Sequence, residues 1–135
     1  VIFRYFNVYG ERHPLKGQYA PVIGIFLRQL ASDESLTIVG DGEQRRDFTH
    51  VSDVVQANIL AATKDIDEEL YGTLFNVGNG QNYSINEIAD KISDNQVNIP
   101  PRIGEARTTL ANNNKLKSVL GWEPKVNLME WIESQ

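Results

Sequence analysis

The sequence contains no cysteine, which excludes disulfide scaffolds and thiolate metal centres and fits a reducing cytoplasm. No apolar run reaches the roughly 18–20 residues of a membrane-spanning helix, and no signal peptide opens the chain. Basic residues are outnumbered, 13 against 18 acidic, for a formal net charge of −5. That balance argues against nucleic acid and anionic membrane surfaces as partners. The two histidines, His13 and His50, lie far apart with no metal-ligand spacing, and both read as loop or turn residues. No serine sits in a nucleophile elbow, and no G-x-G-x-x-G opens a helix. Internal repeats and low-complexity linkers are lacking too.

What is present is an ordinary globular balance. The 135 residues are 41% apolar and 23% charged, enough for one compact domain. The pattern alternates strands and helices, which is an α/β fold. "VIFRYFNVYG" reads as a strand over residues 1–9 with apolar residues on both faces, as in a parallel sheet. Such a strand needs neighbours, and few other strong strands exist, so the sheet looks incomplete. The first residue is Val1, and the opening reads like the middle of a sheet. The expectation is therefore a trimmed or split chain.

From Pro21 the pattern turns helical, with Ile23, Phe26, Leu27 and Leu30 forming a one-sided stripe. "LTIVG" is a short strand. Ser52 is placed to cap a helix from Asp53 to about Thr63. "DIDEEL" reads as a solvated loop or helix end, and "TLFNVGNG" as another strand. Ser84 and Glu87 have capping-box spacing, with Tyr83 and Ile88 as a staple and Ile85, Ile88, Ala89 and Ile92 as the buried stripe. A helix from about Asn113 stops at Gly121, and "NLMEWI" begins a short terminal one.

Anion-binding groups are the chemistry worth weighing. Arg45, Arg46, Arg102 and Arg107 are forked donors, and Asn7 ends the first strand, where open α/β sheets bind ligands. Two readings stand side by side: a phosphate clamp, or arginines that simply solvate. The edge of "LTIVG" likewise either pairs with a flat heterocycle such as uracil or belongs to an ordinary sheet.

Together the segments resemble a known family. "RYFNVYG", "YAPVIGIFL", "LTIVGDGEQRRDFTHVSDVVQAN", "LFNVGNG", "INEIADKI" and "LGWEPKVNLMEWI" stand in the order found in NAD-dependent nucleotide-sugar epimerases and dehydratases. These are extended short-chain dehydrogenases. The likeness covers nearly the whole chain and is greatest to UDP-glucose and UDP-N-acetylglucosamine 4-epimerases.

The resemblance implies roles. Asn7 would bind the substrate diphosphate, and Pro21 and Val22 would line the nucleotide pocket. Thr37, Ile38 and Val39 would hold uracil, partly through backbone. Arg46 and Arg102 would grip the diphosphate from two sides, with Arg45 facing solvent. Glu105 stands near the ribose, where the family usually has the shorter Asp. Tyr5 and Phe6 would lie against the nicotinamide end of NAD. His13 and Thr109 would sit near the sugar's N-acetyl group and hydroxyls.

The family's glycine-rich NAD loop and Tyr-x-x-x-Lys pair are not found here: no tyrosine is followed by lysine four positions on. The resemblance thus implies a C-terminal, substrate-binding portion (1–135) with strands left over from an incomplete Rossmann sheet. It implies a UDP-sugar ligand and NAD held mainly by an N-terminal Rossmann domain absent from the chain. That domain or another chain would cover strand 1–9, and the full-length protein would be a homodimer. A 4,6-dehydratase portion, a non-catalytic UDP-sugar module and half of a split enzyme are the alternatives.

Overall fold

A computed structural model describes all of residues 1–135. It is an α/β fold whose strands pair two by two, a partial Rossmann-like arrangement. β1 (Ile2–Tyr5) lies parallel to β6 (Leu74–Val77), and β2 (Val8–Tyr9) parallel to β5 (Thr49–His50). β3 (Leu36–Val39) is parallel to β8 (Gln96–Ile99), with Leu36 opposite Gln96 and Val39 opposite Ile99. β4 (Arg45–Arg46) is antiparallel to β7 (Tyr83–Ser84). The helices are α1 (Val22–Ala31), α2 (Val51–Thr63), α3 (Ile85–Ile92), α4 (Asn114–Leu120) and α5 (Leu128–Glu133), with one 3-10 turn at Glu68–Leu70.

The expected strand over residues 1–9 is two strands. Asn7 takes a left-handed backbone, φ 29°, which Asn tolerates better than most residues. The chain thereby leaves β6 after Phe6 N–H donates to the Val77 carbonyl, and rejoins β5 through Thr49 N–H on the Asn7 carbonyl. Nor are both faces of β1 buried. Phe3 packs edge-on against Phe75, while Ile2 stays 52% and Tyr5 48% exposed.

Three further expectations shift. Pro21 caps α1 rather than entering it, and Leu30 is exposed while Gly24 and Gln29 are buried with Ile23 and Phe26. α2 is capped by His50, whose ring nitrogen accepts the Ser52 N–H, so the helix starts one residue before Ser52. β8 carried too weak an apolar pattern to be foreseen, and only its partner β3 gives it a place. The Ser84–Glu87 capping box is complete: Glu87 N–H donates to Ser84 Oγ at 3.0 Å and Ser84 N–H to Glu87 Oε2 at 2.7 Å. α4 ends on Gly121 in the left-handed conformation, φ 66°.

Two apolar clusters make the core. One gathers Ile23, Phe26, Leu36, Ile38, Phe48, Ile88 and Trp131 around α1, β3, α3 and α5. The other gathers Val54, Ala57, Phe75, Val77, Leu116, Leu120 and Trp122 around α2, β6 and α4. Two buried aspartates tie the segments together without any cation. Asp47, 0% exposed, accepts N–H bonds from Asn79 (2.8 Å), Gly80 (2.9 Å) and Ala111 (3.0 Å). Asp53 accepts from Lys125 and Val126, and its carbonyl takes the Trp122 indole N–H at 2.8 Å. Converging amides replace the lost hydration of each carboxylate.

Replacing Asp47 by Asn turns an all-acceptor group into one that aims donors at donors. The D47N protein should lose about 1.5–3 kcal/mol of unfolding free energy, the range for charged hydrogen bonds, measured by urea denaturation. An unchanged midpoint would show that the three bonds do not hold the two loops.

Candidate functional site

A cleft of about 420 Å³ opens between the N-terminus of α1, the free edge of β3, the start of β4 and residues 100–106. Strand alternation builds one wall. Leu36 and Ile38 point into the core at 0% and 2% exposure, so Thr37 and Val39 point into the cleft.

The same strand supplies backbone groups. Leu36 N–H donates to Asn95 and Gly40 N–H to Ile99, both at 2.8 Å, so the peptide groups of the alternate residues face away from β8. Two buried glutamines occupy part of that edge. Gln29 Oε1 accepts the Thr37 N–H, and Gln44 Nε2 donates to the Val39 carbonyl. The Thr37 carbonyl and Val39 N–H remain, an adjacent acceptor and donor. That pair complements a planar ring with neighbouring N–H and C=O groups.

Asn7, Pro21, Val22, Arg46, Arg102 and Glu105 also line the cleft, over a floor that includes Phe48 and Ile85. The structure thus brings together Asn7, Pro21, Val22, Thr37, Val39, Arg46, Arg102 and Glu105. Ile38 stays out, because alternation commits its side chain to the core and its peptide groups to β8. Tyr5 and Phe6 do not line the cleft either. The Tyr5 hydroxyl is bonded to Asn58, and Phe6 lies over Gly78, where an added Cβ would stand 3.2 Å from its ring. His13 packs beside Trp131 and receives the Gly10 N–H, and burial pushes its pKa down. Thr109 Oγ1 accepts the Asp47 N–H. Neither His13 nor Thr109 reaches the cleft.

The paired arginines divide. Arg46 Nη1 donates to the Arg45 carbonyl at 2.8 Å and Nη2 to Glu105 Oε1 at 3.1 Å, with the Arg46 side chain 12% exposed. Arg45 is the more solvent-facing of the two, as expected, with its side chain 38% exposed, but it is not free. It points to the opposite side, bonded to Asn82 through Nε and Nη2 and 3.3 Å from Glu87 Oε2. Arg107, an anion-binding candidate, is spent on Asp41 in a fork of 2.9 and 3.0 Å. Arg102 has no side-chain partner. Asp47, Gln29 and Gln44 were missed by sequence reasoning. Asp47's amide partners lie 32 to 64 residues away, so no local signal marks it.

Comparison with known proteins gives a consistent result. Residues 1–78 match the model of the NAD dependent epimerase/dehydratase family. A putative UDP-glucose 4-epimerase of Methanocaldococcus jannaschii is 38% identical over 98% of this chain and 43% of its own length. A UDP-N-acetyl-alpha-D-glucosaminuronate decarboxylase of Bacillus cytotoxicus is 44% identical over 67% of this chain and 27% of its own. The crystal structure of a UDP-glucose 4-epimerase with UDP-glucose from Thermotoga maritima superposes with a TM-score of 0.87 at 38% identity. It covers 97% of this chain and 42% of that one. The chain spans less than half the length of these relatives.

The Arg107 fork lowers the Asp41 pKa from 3.8 to about 2. A depressed carboxyl pKa favours the folded state fully above pH 3.8, and that contribution is lost as pH falls through about 2. Carboxyl NMR should therefore show Asp41 titrating near pH 2, and the R107A variant should move it back towards 3.8. An Asp41 titration that R107A leaves in place would refute the fork.

Proposed function

This chain belongs to the NAD dependent epimerase/dehydratase family, and on that premise we propose that its cleft anchors the nucleotide diphosphate of a UDP-sugar. One observation carries the reading. Eight residues from separate segments, among them two arginines and an unpaired backbone donor–acceptor edge, converge on a single cleft. Its volume lies in the range of small-molecule sites.

Each part has a physical role in this proposal. The Val39 N–H and Thr37 carbonyl pair with the uracil edge. Pro21 and Val22 provide an apolar wall. Arg46 and Arg102 meet the diphosphate from opposite sides, and the Asn7 amide adds a neutral donor. Glu105 stands within reach of the ribose side. The anchor fixes the nucleotide while leaving the sugar free to turn, which is positioning rather than bond-making.

The whole protein, in this reading, is an NAD-dependent UDP-hexose 4-epimerase that oxidises C4 transiently and reduces it on the other face. The residues here do not by themselves make a dinucleotide site. Tyr5 and Phe6 offer one wall at the end of β1, and no glycine-rich turn opens a helix to cradle phosphates. A Rossmann domain outside these 135 residues would hold the cofactor. The exposed Ile2 on β1, and Val55 and Ile59 on α2 beside the Tyr5–Asn58 bond, suit the docking of such a domain. The likeness to a decarboxylase of another UDP-sugar supports a second reading, in which the same anchor serves a different reaction of the family.

The R46A variant should bind UDP more weakly by about 1.5–3 kcal/mol, while R45A should lose stability and keep its UDP affinity. Calorimetry with both variants checks this, and equal UDP affinity of R46A and the parent would remove Arg46 from the anchor. The purified 135-residue chain supplied with NAD should not interconvert UDP-glucose and UDP-galactose. Turnover would refute the assignment of the proton-transfer groups to another domain.

A further inference from the structure

Asn79–Gly80 is the one Asn-Gly pair in the chain. This dipeptide is especially open to deamidation, because glycine puts no side chain beside its own amide nitrogen and lets the backbone turn freely. The glycine nitrogen loses its proton and attacks the asparagine side-chain carbon. A carbon–nitrogen bond forms, the side-chain nitrogen takes up a proton and leaves as ammonia, and a five-membered succinimide closes. Water then opens the ring to aspartate, or to isoaspartate with one extra methylene in the main chain.

The fold keeps both reacting residues. Gly80 takes a left-handed φ of 84°, and an added Cβ would stand 3.0 Å from Asn113 Nδ2, so the turn calls for glycine. The Asn79 side-chain amide has no hydrogen-bond partner in the protein. It lines a polar pocket with Asn112, Asn114 and Lys117, open to the water the reaction consumes.

The main chain is restrained instead. Asn79 N–H donates to Asp47 Oδ1 at 2.8 Å, and Gly80 N–H to Asp47 Oδ2 at 2.9 Å. Asn113 Nδ2 donates to the carbonyls of Gly78 and Asn79, at 2.9 and 3.2 Å. The peptide group that must twist is therefore held at its carbonyl and at its N–H. The attacking nitrogen would also have to give up its proton beside a buried carboxylate, whose charge opposes a second negative charge there. Neither restraint exists in the unfolded chain.

We infer that Asn79 is a modification site, a self-deamidating residue gated by Asp47: the succinimide forms only when the Gly80 N–H has left the carboxylate. Isoaspartate lengthens the main chain between the two N–H groups that one carboxylate now spans, so the modified loop does not regain both bonds. The loss reaches the cleft, because Asp47 lies between Arg46 and Phe48, which both line it.

Peptide mapping by mass spectrometry on the 135-residue chain aged at neutral pH tests this, with hydrogen exchange of the Gly80 amide measured in parallel. Asn79 should deamidate more slowly in the folded chain than in urea, by the factor that protects the Gly80 amide from exchange. D47N, checked for folding by circular dichroism, should speed deamidation about ten- to a hundredfold, the shift in opening that loss of a charged hydrogen bond produces. I23V, a truncation in the apolar cluster under α1, should change the rate by less than about twofold, because local opening does not follow global stability. Deamidation as fast in the folded chain as in urea would overturn the inference. So would equal acceleration by D47N and I23V, which would place the reaction in the globally unfolded chain. Should D47N not fold, the parent decides: slowing that matches the Gly80 protection upholds the gate, and slowing far above or below it removes the gate.

Discussion

A buried carboxylate with no ion-pair partner organises this molecule. Asp47 sits between Arg46 and Phe48 and draws in the amides of Asn79, Gly80 and Ala111, from two loops distant in sequence. Loop packing is close because Gly78 has no side chain: an added Cβ would stand 2.2 Å from that of Ala111. Fixing Asp47 fixes its neighbours. Phe48 enters the core and the cleft floor on one side, and Arg46 is held at the cleft wall on the other. A carboxylate suits this task because it only accepts and has room for several donors, so one side chain can saturate three amides in a space too dry for water.

Strand alternation then decides what each residue is for. In β3 it sends Leu36 and Ile38 inward and leaves Thr37 and Val39 to the cleft. In β4 it divides two identical side chains. Arg45 becomes a brace between β4 and the start of α3, through Asn82 and Glu87, and Arg46 becomes the cleft's shielded cation. Gln29 and Gln44 complete the arrangement. They satisfy one donor and one acceptor on the edge of β3 and leave a single unpaired set, which narrows what the edge can recognise.

The strap from Pro100 to Ala106 belongs to a different energetic regime. The loops on Asp47 are held by buried, charge-assisted bonds. The strap is exposed and tied at its middle by one half-shielded ion pair. A segment tied this loosely opens locally at small cost, whereas the scaffold beneath does not. The cleft therefore couples a rigid floor to a loosely tied side, and Glu105 reaches across to Arg46 to join them.

The sequence alone determined the helices, because their signals are local. The Ser84–Glu87 box, the Gly121 stop and the apolar stripe of α1 each lie within one or two turns of chain. It also carried, through linear motifs, eight of the residues that line the cleft. Tertiary structure decided what depends on distant partners. β8 exists as a strand through its pairing with β3, and Asn7 breaks the opening strand because β5 and β6 claim its two halves. Composition could not tell which of the two arginines would brace and which would face the cleft. A side chain's role in a strand is set by register, and register is fixed by neighbours far away along the chain.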